Sequence, residues 1–311
     1  MTRAAQKANR PLTRPICRRG DDPGSTTKGN FRMNKLMNTI VAAASLTTAM
    51  VALTGTSNAG EVLDRVLSTK TLMVAVGTDW GPISHLNKDK ELDGYDVDIA
   101  KDIAKSLGVE VKFVTPGWDI ITAGKWQGRW DLAMGQMTPT KARSQVFDFP
   151  AVYIWGPIIA VAHKDSKATK LPDLEGKMVG VAAGTAAESY ANHKLEPDWV
   201  NAAPVQYQFK PGQVKAYTST NIAFDDLRLG DGVRLDAVLT DDSIARDAIK
   251  AGYPLKMLEQ ALFSSPGAAA VLRGDKEFSA KIASAIKALQ DNGTLAKLSI
   301  KWYGADLTVE Q

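Results

Sequence analysis

Residues 94–114 read GYDVDIAKDIAKSLGVEVKFV. Ile99, Ile103 and Leu107 recur every four residues, which puts them on one face of a helix over 96–107. Gly108 follows, at the position that favours a left-handed cap. Val109, Val111 and Phe113 then alternate, as in a strand with one buried face. Upstream, residues 71–76 (TLMVAV) read as a strand, and downstream residues 130–134 read as another. Strand, helix and strand in this order predict a mainly parallel sheet with helices on both faces.

The pattern starts again at Lys177. Residues 178–183 form a buried-type strand, and Gly184-Thr185 opens a helix through Tyr190. Residues 235–239 are a further strand, ending at Asp241-Asp242. Between them, residues 195–226 are rich in Pro, Asn, Thr and Gly and read as loop. Phe278, Ile282, Ile286 and Leu289 make a helical stripe, Asn292-Gly293 breaks it, and a last helix spans about 294–302. Two such regions joined near 153–157 predict two lobes with a cleft between them.

The formal charge of +4 is misleading. Residues 1–59 hold nine Lys/Arg and two acids, so the rest of the chain carries −3. The basic balance therefore gives no argument for nucleic-acid binding by the folded part. The one cysteine, Cys17, lies in the same leader, so the remainder has neither a disulfide framework nor a cysteine-based metal site. Residues 33–59 read as a cleavable export signal: Lys35, an uncharged run over 39–53, and Ser57-Asn58-Ala59 before Gly60. That run is shorter than the roughly 20 apolar residues of a membrane span. Residues 1–32 read as a disordered or non-native leader.

Several residues suit a small charged ligand. Arg143, in the run Thr138-Pro139-Thr140-Lys141-Ala142-Arg143, could hold a carboxylate through two parallel bonds, with the Thr138 hydroxyl beside it. An exposed arginine at a capped helix start fits the residue types as well. Thr185 and Ala186 begin a helix, where free N–H groups favour anions, or they form a simple tight turn. Asp241 follows a strand's carboxyl end, where ligands bind in open α/β sheets, though a solvated cap there would look the same. Trp80 and Trp118 fall in loops after strands and could wall a pocket or pack in a core.

Taken in order, these pieces resemble the polar amino-acid-binding proteins of bacterial ABC importers, solute-binding protein family 3. The run is Gly77-Thr78-Asp79, then Gly94-Tyr95-Asp96-Val97-Asp98-Ile99-Ala100, then 138–143 before Phe147-Asp148-Phe149. It continues through 174–181, Gly184-Thr185, 235–241, Asn292-Gly293-Thr294 and Lys301-Trp302-Tyr303-Gly304, over residues 62–308. The resemblance implies an α/β type II periplasmic-binding-protein fold. Its lobes would be 61–156 plus 263–311, and 157–262, with hinge strands and a central ligand cleft. It implies that Thr138 and Arg143 hold the α-carboxylate, helped by the turn at Thr185 and Ala186. A backbone group of Gln136, together with Asp241, would take the α-ammonium. Trp80 and Trp118 would sandwich the side chain, and Asp79 would contribute to its pocket.

A basic ligand would want an added carboxylate, for which Asp79 stands; a neutral amide would want hydrogen bonds, for which Gln136 stands. The partners expected are an amino acid and the membrane permease of an importer. A periplasmic monomer with no metal, cofactor or nucleic acid is expected. The competing class is an enzyme of the cyclohexadienyl-dehydratase kind on the same fold. His85, His163 and His193 show no catalytic spacing, and a binding protein rather than an enzyme is expected.

Overall fold

The computed structural model describes residues 60–310. The leader (1–32), the export signal (33–59) and Cys17 lie outside the described residues.

The chain enters through α1 (Glu61–Thr69) and β1 (Thr71–Ala75). A hairpin of β2 (His85–Leu86) and β3 (Leu92–Asp93) leads to α2 (Tyr95–Leu107), β4 (Glu110–Val114), α3 (Trp118–Thr122) and β5 (Leu132–Met137). After β6 (Phe147–Asp148), the long β7 (Val152–His163) carries the chain into a second lobe. That lobe holds β8 (Met178–Ala182), α4 (Ala186–Ala191), β9 (Gln213–Tyr217), α5 (Thr220–Leu227), β10 (Ala237–Asp241) and α6 (Asp242–Lys250). The 18-residue β11 (Leu255–Leu272) returns, followed by α7 (Lys276–Asp291) and α8 (Thr294–Tyr303).

The amphipathic spacing does in space what it does on paper. In α2 the buried residues include Val97, Ile99, Ala100 and Ile103, and Asp96 and Asp98 lie in the first turn, complementing the dipole. Gly108 stops the helix at φ 70°, a left-handed conformation that glycine adopts without a Cβ penalty, and its N–H returns to Ala104. The stripe of α7 is likewise buried at Phe278, Ile282, Ile286 and Leu289.

The strands run in the order β4-β1-β5-β11-β7-β10-β8-β9, with β6 paired to β11. β1 is parallel to β4 and β5, and β8 is parallel to β9 and β10. The middle is antiparallel, because β11 runs against β5 and β7 while β7 runs against β10. The expected parallel sheet thus holds in each arm and gives way where the chain crosses between lobes twice in opposite directions. At that crossing Ser264, Ser265 and Pro266 face Pro157, Gly156 and Trp155. Each strand has a proline here, which donates nothing to the ladder, so the crossing is its weakest part.

Two further expectations change. Residues 213–217 form β9 and residues 220–227 form α5, where all but Leu227 fall in the stretch read as loop. β9 is a five-residue edge strand with Gln213 and Ala216 exposed, so it carries little apolar signal. α5 is capped by Ser219 and buries Ala223, Phe224 and Leu227. Trp118, placed in a loop by its sequence, is the first residue of α3.

Each lobe buries both faces of its arm. Leu72, Val74, Ile99, Leu132 and Ile282 form the core on one side of the first lobe; Trp126, Trp130 and Phe147 form the other. Val179, Val181, Tyr190 and Leu239 lie on one face of the second lobe, with Phe224, Leu227 and Val238 on the opposite face. Each fully buried aliphatic contributes about 1.5–3 kcal/mol. Ile83, from the loop before β2, packs into the last of these clusters, so the two lobes are closed on one another.

Candidate ligand cleft

The cleft lies at the carboxyl ends of β1, β5, β8, β9 and β10, where open α/β sheets place their ligands. Counting its open mouth, the empty space there is about 730 Å³. Asp79, Trp80, Trp118, Gln136, Thr138, Arg143, Thr185, Ala186 and Asp241 all line it.

Arg143 begins a short 3₁₀ turn and is half-buried. Its guanidinium donates to the carbonyl of Thr138 at 2.7 Å and to that of Gly184, across the cleft, at 2.7 Å. Burial pushes its pKa down to about 10, and Asp241 opposes that shift. Thr138 and Ser265 share a hydrogen bond between their hydroxyls, which ties the arginine's segment to β11.

Asp241 ends β10 and sits at the N-cap of α6 without capping it. Burial raises its carboxyl to about 6; its own backbone N–H and Arg143 pull the other way, and Asp242 adds to the rise. Its neighbour Asp242 is instead committed to Arg246 at 2.6 Å. Among the described residues no side chain bonds to Asp241, so a cation and an anion face the same space from different lobes without neutralising each other.

Trp80 and Trp118 meet edge to face, with centroids 5.3 Å apart and planes at 89°. Both rings lie on Gly135, where an added Cβ would come within 2.7 Å of Trp118 and 2.8 Å of Trp80. Two rings in mutual contact are adjacent walls of a corner, so the expected sandwich does not form between them. The Trp118 indole N–H donates to Gly184 O at 3.2 Å. Thr185 caps α4, accepting from Glu188 N at 3.1 Å. Asp79 is exposed at the mouth, and its backbone carbonyl accepts from Asn221 across the cleft at 3.0 Å.

Gln136 stands in β5 with φ 53°. Its side-chain amide donates to the Tyr303 hydroxyl at 2.6 Å and its N–H donates to the Tyr153 hydroxyl at 3.0 Å. The side chain suggested for a neutral amide ligand is therefore already engaged.

Sequence reasoning missed Gly135, Ser265 and the group Thr218, Ser219 and Thr220, which lines the cleft at the end of β9. The last group follows a strand end, the same signal that marked Asp241, and it was hidden with β9 itself. The three histidines lie elsewhere: His193 stacks on Tyr207, His163 is in β7, and His85 contacts Trp302. Among the described residues no group of three or more His, Cys, Asp or Glu could hold a metal ion, and no helix is long and apolar enough to cross a membrane.

With this geometry, comparison with known proteins is specific. The chain belongs to the bacterial extracellular solute-binding proteins, family 3, whose family model matches residues 72–305. It is 30% identical over 250 residues to the L-cystine-binding protein TcyJ of Escherichia coli, covering 79% of this chain and 88% of that one. It is also 30% identical over 266 residues to the arginine-binding extracellular protein ArtP of Bacillus subtilis, covering 85% and 96%. Among solved structures, an ancestral amino acid-binding protein, a precursor of cyclohexadienyl dehydratase, matches with a TM-score of 0.66. That match is 28% identical and covers 78% of this chain and 99% of the other. The fold is the type II periplasmic-binding fold.

Proposed function

We propose that this protein is exported to the periplasm by residues 33–59, captures an L-amino acid by its zwitterionic head group, and delivers it to the permease of an ABC importer. The single observation behind this reading is the unneutralised pair of Arg143 and Asp241 across one cleft. A carboxylate displaces a carbonyl from Arg143, with Thr138 and the turn at Thr185 and Ala186 alongside. The ammonium meets Asp241 and the backbone of Gln136. Charge-assisted bonds contribute about 1.5–3 kcal/mol each, and a few of them reach roughly 8 kcal/mol, a micromolar affinity.

The lobes are 61–156 plus 263–311, and 157–262, and the protein acts as a monomer without metal, cofactor or nucleic acid. A ligand touching both lobes favours the closed state, and the permease reads that state. A cationic side chain suits the rest of the cleft. Asp79 lacks a side-chain partner among the described residues, and the tryptophan corner offers ring faces to a guanidinium or ammonium. Simple capture rather than turnover follows from a cleft whose acid and base are both needed for the head group.

A thermal-shift screen of the twenty amino acids and prephenate tests this. One or more basic amino acids should raise the melting temperature, and Arg143→Ala should abolish the shift and cut calorimetric affinity about a hundredfold or more, as for a buried charge pair. Near-native binding by that variant, or consumption of prephenate, would refute the capture model.

A further inference from the structure

Behind the cleft, in the first turn of α2, Asp96 is 0% exposed. Its Oδ2 accepts from the Tyr153 hydroxyl at 3.0 Å, and that hydroxyl accepts from Gln136 N–H at 3.0 Å. Its Oδ1 has no hydrogen-bond partner. A buried polar atom left unpaired is costly, and an apolar side chain would fill the place better. Core packing therefore does not account for this carboxyl.

What the chain of bonds ends on is unusual. Gln136 has a side chain and yet sits at φ 53°, a conformation that persists only where the surroundings over-determine it. Three neighbours do so. Tyr153 holds its N–H, and Tyr303 holds its side-chain amide. Gly267 on β11 lets its backbone in: a Cβ there would lie 2.7 Å from Gln136 Cβ and 3.0 Å from its Cα. The pairing of β5 with β11 slips at this point, between Ala270↔Ala133 and Ala268↔Met137. Tyr153 is itself fixed, because Tyr95 donates to its carbonyl at 3.0 Å and stacks on its ring. Gln136 lines the cleft two residues before Thr138, and its side-chain amide is held by Tyr303.

We propose that Asp96 and Tyr153 are positioning residues for the head-group site. The relay from Asp96 carboxyl to Tyr153 hydroxyl to Gln136 N–H fixes the left-handed residue at Gln136 and so sets the backbone that meets the ligand's ammonium. This rests on the head-group reading above. The titratable groups around Asp96 are Tyr95 on its own helix, Tyr153 on β7 and Tyr303 on α8, with neutral Gln136 on β5; none is a cation. Burial first, and Asp96 among the further causes, pushes all three phenols up, so they remain neutral donors and acceptors. Burial also raises Asp96 to about 7, against the bond from Tyr153 and the lowering influence of nearby Gln136. The relay thus ends on a group that gains a charge near neutral pH.

Two measurements test it. The first needs no ligand: the Gln136 amide resonance of ¹⁵N-labelled protein, followed against pH. It should move with a midpoint of about 7, and Asp96→Asn and Tyr153→Phe should each flatten that step. A resonance indifferent to both substitutions overturns the relay. The second is calorimetry with L-arginine, or with whichever amino acid the screen finds tighter, and with the same molecule lacking its α-amino group. Tyr153→Phe and Asp96→Ala should weaken the amino acid about tenfold, the effect of one hydrogen bond to a charged group, and the des-amino analogue much less. Asp96→Asn should recover most of what Asp96→Ala loses. Equal losses for both ligands mean a general structural role and overturn the proposal. If the intact protein binds no amino acid, the head-group reading falls and takes the relay's purpose with it, while the amide titration still reports whether the relay exists.

Discussion

Two strand-to-helix junctions of the second lobe, β8 into α4 and β10 into α6, have the same backbone plan and opposite chemistry. Thr185 and Asp241 are both N-caps in extended conformation. Thr185 is saturated: its hydroxyl donates to Ala182 O at 2.7 Å and accepts from Glu188 N, and the Glu188 carboxylate accepts from Gly184 N at 2.7 Å. Asp241 makes no cap bond, although aspartate is among the best caps, and its carboxyl is left half-buried and raised to about 6. One junction uses its polar atoms for stability. The other leaves a carboxyl on the cleft wall with no side-chain partner among the described residues, free for the head-group role proposed above.

The sharpest way to break this contrast is Asp241→Ala. Removing one partner of a desolvated charge pair costs about 2–5 kcal/mol, so calorimetric affinity for the bound amino acid should fall about a hundredfold or more. A loss under tenfold would mean that Asp241 is not the anion of the site.

A smaller effect is expected from pH. Asp241 is raised from 3.8 in the free residue to about 6 in the fold. The stability this group contributes is fully present below 3.8 and is lost as pH rises through about 6. Without ligand, Asp241→Asn should therefore melt above the parent at pH 7, and the gap should close by about pH 4. Ligand affinity should move the other way, falling about tenfold from pH 7 to pH 5 as the carboxyl takes up its proton. Melting and titration series over that range check both signs.

The smallest effect tests the saturated junction. Thr185→Ala should cost about 1 kcal/mol of stability, a drop of roughly 2–4 °C, with an affinity loss well short of that for Asp241→Ala. Comparable affinity losses at the two caps would erase the distinction between them.

How much of this was legible beforehand depended on the range over which each signal acts. α2 and α7 were visible because their faces repeat within the helix, and α2 begins only one residue before the expected start. β9 was invisible because a short edge strand with polar positions resembles the irregular chain before it. Arg143, Thr138 and Asp241 were singled out through the order of short motifs, and all three line the cleft. Their partners were not: Ser265 meets Thr138 over 127 positions of sequence, and Gly135 matters only because two indoles from distant segments rest on it. The tryptophan corner shows the same limit. Both tryptophans line the cleft, but their mutual angle is a property of the packed structure.

The lobes also touch at the rim. Lys141 N–H donates to Glu196 O at 3.0 Å, Asp198 N–H donates to Pro139 O at 3.2 Å, and Thr140 and Pro197 form the bridge between them. These bonds are made by main chain alone, so they are indifferent to the cargo. Recognition occurs inside, where side chains differ in charge and shape, and the seal outside has one form. Whatever occupies the cleft, the outer face of this seam presents the same main-chain contacts.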